Sequence, residues 1–333
     1  MPTPRIDCAC VPFGSGLVLF AGGVDNHPRL ANGPLKECDI YDSLANMWRP
    51  AGFVPDLNQR RHGCSGCVYQ GRLCVIGGSG VQSMECLLPP TPAGPPSAAE
   101  GGAGAWEWRV EHDGKCSDRV FFACGVVPGS ATSCRWNGPQ DVVLAAGGEG
   151  EHSGTCEFFD GIQWRPACRL QTPRSAMAHV VSLGALVLIG GRSMAWGESG
   201  KPLASVEMVW AGQNRYPSTG EDCVSPPSEW LSLPLPDMHH ERLGPSAVVI
   251  GRSIYVFGGA GEAGFVRQVE RLDMSLAFDH AAQSLKKGYF DDRQAWQRLL
   301  AWEIVDNELL PPQIPHEYHA ISMWFGPRAC PSS

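Results

Sequence analysis

Short apolar runs that end in a pair of glycines recur along this chain. Five such runs occur, at residues 17–23, 73–78, 142–148, 186–191 and 254–259, and the first glycines of successive pairs lie 59 residues apart on average. A run of roughly four to eight apolar residues bounded by turn residues predicts a buried β-strand. A glycine pair predicts a sharp turn with positive φ where a side chain would clash. The pattern therefore predicts one buried strand in each of five repeats.

Each buried strand has companions at regular distances. Most copies have an arginine about 16 residues before the glycine pair, and a first strand of small residues follows the arginine. After the pair come a third strand with an acidic residue and a tryptophan that opens a fourth strand. The third strands are 38–42, 84–87, 156–160, 206–209 and 269–273, the arginines are Arg5, Arg61, Arg119, Arg174 and Arg242, and the tryptophans are Trp48, Trp108, Trp164, Trp230 and Trp302.

Four short strands per copy predict an all-β fold, a β-propeller of four-stranded antiparallel blades. The predicted repeat units are approximately 5–60, 61–118, 119–173, 174–241 and 242–315, in a single domain that spans residues 1–333. We interpret the recurring arginines as structural residues. We expect each tryptophan to fill the gap between adjacent blades, with a partner for its indole N–H.

The arginine, the small-residue strand, the Gly-Gly strand, the acidic strand and the tryptophan together resemble the kelch repeat family over about residues 5–326. Single copies depart from the family pattern: the second lacks Tyr-Asp after Glu85, and the fourth has Trp210 there. Kelch propellers usually have six or seven blades, whereas this chain holds five units plus one C-terminal strand at 316–326. Two arrangements are compatible with this count: a five-bladed ring closed by the C-terminal strand, and an incomplete six-bladed ring.

Composition and charge exclude several classes of function. The formal net charge of −8 is spread along the chain without a basic block, which argues against nucleic-acid binding. No stretch of 18 uncharged apolar residues occurs, so we predict no membrane span. The 40 glycines and 28 prolines among 333 residues suit short strands and turns better than helices.

The 14 cysteines do not form a recognisable disulfide or zinc framework. Cys64 and Cys67 form the one tight CxxC, without a second at zinc-finger spacing. Five cysteines fall on the first strand of the repeat, where alanines occupy other copies: Cys8, Cys10, Cys64, Cys67 and Cys124. We interpret them as small buried apolar residues. This usage predicts a reducing, cytoplasmic environment.

Loops between strands two and three, and between strands four and one, emerge on one face, which usually binds partners in the kelch propellers that this chain resembles. Their residues carry mixed charge, so no charged partner motif follows. The candidate partner-binding residues are Asp25, His27, Arg29, Arg60, Arg192, Trp196, His239 and Arg267. Arg60, Arg192 and Arg267 lie off the repeat and are the strongest of these. Because His239 and His240 are adjacent, we expect that they cannot place both rings on one side of a strand.

Three insertions interrupt the repeat. Residues 89–105 are rich in proline, alanine and glycine, which predicts a linker, with docking to an SH3-type groove as the alternative. Residues 211–229 form another polar, proline-rich loop. In residues 275–300 apolar positions at helical spacing predict one or two short helices on the rim, with a partner-docking helix as the alternative.

The sequence predicts a non-enzymatic, protein-binding kelch propeller that acts as a scaffold or substrate-recognition module, without catalytic residues, cofactor or metal. No GxSxG, HExxH, P-loop or dinucleotide motif occurs in the required context. Ubiquitin-ligase and cytoskeletal components are the partners considered. The alternative is a small-molecule enzyme with a site at the propeller axis, like a sugar mutarotase or a copper oxidase. Tyr318, between His316 and His319, is the one tyrosine beside a histidine cluster, and the first-strand repeat accounts for that triplet.

Overall fold

A computed structural model describes residues 2–14, 16–25, 33–89, 106–112, 116–128, 141–194, 200–211, 230–276 and 300–305. Within these residues the secondary structure is almost entirely β, with a short 3₁₀ turn at Gly150–His152. The chain divides into two compact units, Met1–Val120 and Phe121–Ser333.

The first unit contains two antiparallel sheets of four strands, each hydrogen-bonded in sequence order. Blade 1 consists of β1 (Ala9–Phe13), β2 (Leu17–Ala21), β3 (Cys38–Asp42) and β4 (Met47–Trp48). Blade 2 consists of β5 (Ser65–Tyr69), β6 (Arg72–Ile76), β7 (Met84–Leu88) and β8 (Glu107–His112). The second strand of each blade is buried at four of its five positions, as its run of apolar residues predicts.

The second unit contains three further four-stranded antiparallel sheets. Blade 3 consists of β9 (Ala123–Pro128), β10 (Asp141–Ala146), β11 (Thr155–Phe159) and β12 (Trp164–Arg169). Blade 4 consists of β14 (Ala178–Ser182), β15 (Ala185–Ile189), β17 (Val206–Ala211) and β18 (Trp230–Leu235). The two-residue strand β13 (Arg174–Ser175) precedes this blade and pairs with β16 (Arg192–Ser193). Blade 5 consists of β19 (Ser246–Ile250), β20 (Ser253–Phe257), β23 (Val269–Asp273) and β24 (Trp302–Val305), and its loop holds a small ribbon of β21 (Ala260–Gly261) and β22 (Gly264–Phe265).

These five four-stranded antiparallel blades confirm the predicted β-propeller fold class. The observed second, third and fourth strands fall where the glycine pairs, the acidic strands and the tryptophans place them. The expected closing strand at 316–326 and the insertions at 89–105 and 211–229 lie mostly or wholly outside the described residues, as does most of 275–300. The two closure schemes therefore remain predictions.

The glycine pairs take the conformation that the sequence requires. All ten of their glycines have positive φ, between 61° and 116°. A Cβ atom added to Gly22 would lie 2.7 Å from the carbonyl oxygen of Arg61, and one on Gly147 would lie 2.6 Å from that of Arg174. The predicted reason for glycine, a turn without room for a side chain, is confirmed at these positions.

Three of the five tryptophans, Trp108, Trp230 and Trp302, pack against the preceding blade of their own unit. Trp108 of blade 2 joins a core cluster with residues of blade 1 such as Leu19 and Ile40. Trp230 of blade 4 packs on Phe158 of blade 3, with ring centroids 5.1 Å apart. The indole N–H of Trp108 donates to the Pro55 carbonyl at 2.8 Å, and that of Trp302 to the Pro236 carbonyl at 2.9 Å. The expected packing between blades is therefore confirmed for Trp108, Trp230 and Trp302, and the bonded N–H for Trp108 and Trp302. Trp48 and Trp164 instead pack on aromatic rings of their own blades.

Candidate functional site

The loops after strand two and after strand four lie at the same end of each antiparallel blade, which we call the loop end. The connections after strands one and three lie at the opposite end. Five of the eight candidate partner-binding residues are described, and they lie on loops of the loop end. A recurring buried ion pair holds the backbone from which these side chains project.

In blade 2 the ion pair joins Arg61 to Glu85 of β7, and both side chains are completely buried. Arg61 Nη2 and Nε donate to Glu85 Oε1 at 2.7 and 3.2 Å. Arg61 Nη1 donates to the carbonyl oxygens of Gly77 and Ser83, each at 2.8 Å. The arginine thus satisfies the carbonyls at both ends of the loop between β6 and β7 while it neutralises a buried carboxylate.

The same arrangement recurs in both units. The buried arginine lies 2.6–3.0 Å from the carboxylate of the third strand and donates from Nη1 to the carbonyl of the first glycine of the pair. The sets are Arg5, Asp39 and Gly22 in blade 1, Arg174, Glu207 and Gly190 in blade 4, and Arg242, Glu270 and Gly258 in blade 5. Arg119 and Glu157, at the equivalent positions of the third repeat, are also buried. This geometry supports the interpretation of the recurring arginines as structural.

The glutamates of blades 2, 4 and 5 also fix the loop that leads into their own blade. Glu85 accepts the backbone N–H groups of Asn58 and Gln59 at 2.7 and 3.2 Å. Glu207 accepts those of Gln171 and Thr172 at 2.8 and 3.0 Å. The loop backbone is therefore held from the protein interior through its N–H groups. Side-chain bonds such as that from Asn58 Nδ2 to the Trp108 carbonyl, at 2.8 Å, add to this support. The sequence pattern placed the acidic residues but did not reveal this second role.

In blade 5 the two loop positions are His239 and His240. Their backbone N–H groups donate to Glu270 at 2.6 and 3.2 Å, and their Nδ1 atoms lie 3.0 and 3.1 Å from the same carboxylate. Burial raises the pKa of Glu270, but the His239 N–H and the Arg242 guanidinium outweigh that effect, so its pKa lies below the ordinary 4.5. The expectation that the two rings cannot share one side is wrong, because the residues lie in a bend rather than in a strand.

In the first unit, two of the four candidate residues can be placed. Arg60 is exposed, and its Nη1 donates to the Pro34 carbonyl at 3.2 Å. Asp25 is half-buried. An exposed ion pair between Lys36 and Asp56, 3.6 Å apart, lies on the same loops. The loop end of this unit therefore presents both charge signs, as the sequence predicts.

Arg192 of the second unit is held by its neighbours. Its Nη2 forms an ion pair with Glu149 of the blade 3 loop, and its Nε donates to Ser175 Oγ at 3.1 Å. The side chain is about one-third exposed. Arg192 therefore links the loops of blades 3 and 4, a contact between distant parts of the chain that the sequence pattern does not reveal.

Arg267 is exposed after the ribbon of β21 and β22. In the second strand of the same ribbon, Phe265 pairs with Ala260 and exposes 60% of its surface. Phe265 is not among the candidates predicted from sequence, although an aromatic residue directly after the glycine-rich segment 258–264 is a usable signal. The candidates His27, Arg29 and Trp196 lie outside the described residues.

The prediction that the first-strand cysteines are buried holds for three of the five. Cys64, Cys67 and Cys124 are buried and outside any disulfide, whereas Cys8 and Cys10 are half-buried. Burial raises the pKa of the Cys8 thiol to about 12. The structure also contains a disulfide that the sequence pattern does not predict, between Cys74 and Cys86, which face each other across β6 and β7.

The described residues contain no group of three or more His, Cys, Asp or Glu residues that could hold a metal ion. No helix in the same residues is long and apolar enough to cross a membrane.

The fold and the loop ends together define the class of protein: a β-propeller of four-stranded blades whose loops are held by buried arginine–carboxylate ion pairs. No protein-family model matches the sequence, and no curated protein is significantly similar to it.

Proposed function

We propose that this protein is a kelch-type, non-enzymatic propeller that binds another protein through the loop ends of its blades and acts as a scaffold or substrate-recognition module. The kelch assignment is based on the recurring arginine, glycine pair, acidic strand and tryptophan. Ubiquitin-ligase and cytoskeletal components are the partner classes that the resemblance suggests.

One observation carries the proposal: the loop backbones are fixed from within, while different side chains occupy the tips. Glu85 and Glu207 hold equivalent backbone N–H groups, yet the residues there are Asn58 and Gln59 in one blade and Gln171 and Thr172 in another. Because the carboxylates bind backbone N–H groups, which every residue except proline carries, the side chains at these positions can differ between blades and serve recognition. A fixed backbone also lowers the entropic cost of binding.

The exposed side chains suit a protein surface as partner. Arginine and aromatic residues dominate the energetics of protein interfaces, and Arg60, Phe265 and Arg267 are exposed at the loop ends. The mixture of Lys36, Asp56 and arginines gives no single charge sign, which favours a partner of mixed charge over a polyanion.

Affinity capture with the full chain, followed by titration of the purified partner, tests the proposal. The variant is Arg60→Ala with Phe265→Ala and Arg267→Ala, which leaves the buried arginine–carboxylate ion pairs intact. The matched control is Leu44→Ala with Ile162→Ala, which removes side chains 72% and 60% exposed at the opposite end. We expect the loop-end variant to bind at least about tenfold more weakly, and the control to bind like wild type.

Two results would overturn the proposal. A folded loop-end variant that retains the same partners with the same affinity would show that binding uses another surface. Stoichiometric copper or zinc in the purified protein would instead favour the enzymatic alternative with a site at the propeller axis.

A further inference from the structure

Two cysteines that are not in disulfides, Cys156 and Cys168, meet at a β-bulge in blade 3. Thr155 of β11 pairs with Arg169 of β12, and Glu157 pairs with Pro166, so the register shifts between these pairs. One residue on β11, Cys156, therefore stands opposite two residues on β12, of which the second is Cys168. A bulge of this kind brings side chains together that a regular ladder would separate.

The two thiols are in direct contact. The Cys156 side chain hydrogen-bonds to that of Cys168, and this bond, against the opposing effect of burial, lowers the pKa of the Cys168 thiol. Cys156 is 3% exposed and belongs to the core of the second unit, while Cys168 is half-buried and packs on that core from outside. One thiol of the pair is thus reachable from solvent, and the other is held beside it.

This pair differs from the other cysteines of the molecule. Burial raises the pKa of the thiols of Cys10, Cys38 and Cys64, which makes them poor nucleophiles. Cys74 and Cys86 are already joined across adjacent strands. Neighbouring strands of these blades therefore accommodate a disulfide. Cys156 and Cys168 also lie on adjacent strands, and both are thiols outside a disulfide.

We propose that Cys156 and Cys168 form a redox modification site, which low-molecular-weight disulfides such as oxidised glutathione convert into an intramolecular disulfide. The Cys168 thiolate attacks one sulfur of the reagent, which forms a mixed disulfide and releases one glutathione thiolate. Cys156 then loses its proton to solvent and attacks the Cys168 sulfur, which releases the second glutathione thiolate. Two protein thiols are oxidised, and one reagent disulfide is reduced to two thiols.

The site can be tested without any binding partner. The folded full chain is treated with oxidised glutathione, remaining thiols are alkylated, and the linked peptides are mapped by mass spectrometry without reduction. We expect a Cys156–Cys168 cross-link that dithiothreitol reverses, with little glutathione left on Cys168. In Cys156→Ala, which removes the resolving thiol with little change in volume, we expect glutathione to remain on Cys168. Cys124→Ala, which removes a buried thiol elsewhere in blade 3, is the control and should behave like wild type.

The outcomes that would overturn the proposal are equally direct. Glutathione that persists on Cys168 of the wild type would show that Cys156 does not resolve it. Alkylation of both thiols after treatment, while other cysteines are oxidised, would show that the pair does not react. The wild-type cross-link map decides the question even if Cys156→Ala does not fold.

Discussion

Arg61 joins three parts of the structure through one side chain and one carbonyl. Its guanidinium holds Glu85 and two loop carbonyls of blade 2, while its backbone oxygen accepts the N–H of Gly23 of blade 1 at 2.7 Å. Arg174 and Arg242 connect blades of the second unit in the same way, through Gly148 and Gly191 at 2.9 and 2.8 Å. Arginine suits this role because its planar guanidinium spreads five donors over three nitrogen atoms, whereas the three donors of a lysine ammonium all start from one nitrogen.

Replacement of Arg61 should therefore be among the most damaging single changes. Arg61→Ala leaves the carboxylate of Glu85 buried without its counter-charge, and we expect a loss of about 3–5 kcal/mol in the free energy of unfolding. Arg72→Ala is the control, because the ion pair of Arg72 with Glu111 is partly exposed and should contribute less than about 1 kcal/mol. Urea denaturation of both variants measures the difference, and equal losses would refute the structural role of the buried pair.

At the scale of the element, the outer strand of a blade is fastened to the loop that enters that blade. Trp108 on β8 donates its indole N–H to Pro55, and its carbonyl accepts Asn58 Nδ2 at 2.8 Å. Asn58 in turn donates its N–H to Glu85 on β7. The loop is thus tied to two strands of blade 2, and the tryptophan is a connector as well as a wedge.

The two roles of Trp108 can be separated. Trp108→Phe retains much of the packing but removes the hydrogen bond, and should cost about 1–3 kcal/mol because the Pro55 carbonyl loses its partner. Trp108→Ala adds a cavity and should cost about 3–5 kcal/mol. Trp48→Phe is the matched control, since Trp48 packs on Phe20 and Tyr41 but its indole has no hydrogen-bond partner among the described residues. If Trp48→Phe costs as much as Trp108→Phe under thermal and urea denaturation, the hydrogen bond has no special part.

The elements could be predicted from sequence because their signals are local. The conformation or packing of a single position explains each glycine pair, each tryptophan and each small-residue strand. Because these patterns recur in five copies, together they predict the strands more strongly than one copy would. The ion pair between Arg192 and Glu149, the shared carboxylate of His239 and His240, and the Cys74–Cys86 disulfide depend on which residues face each other across strands or loops. Such contacts depend on register and on blade packing, and the repeat pattern specifies neither.

At the scale of the whole molecule, folding lowers the pKa of several groups that titrate in acid, and each of these shifts favours unfolding at low pH. Desolvation lowers the pKa of His179 on β14 from 6.5 to about 4, so the folded chain keeps this imidazole neutral. Burial raises the pKa of Asp160, but the N–H of Gln163 and the side chain of Arg165 outweigh it, and its pKa lies below the ordinary 3.8. The pKa of Glu270 is likewise lower than its ordinary value of 4.5. In each case the unfolded chain binds protons more readily than the folded chain, so acid favours unfolding.

The free energy of unfolding should therefore fall in two windows as the pH drops. His179 contributes between pH 6.5 and about 4, where only the unfolded imidazole is protonated, with a slope of at most about 1.4 kcal/mol per pH unit. Asp160 and Glu270 contribute below their unfolded values of 3.8 and 4.5. His179→Leu should flatten the first window and leave the second, whereas Asp160→Asn should reduce only the second. Urea titrations from pH 7.5 to 3.5 measure both slopes, and a wild-type slope between pH 6.5 and 4.5 that survives in His179→Leu would assign it to another group.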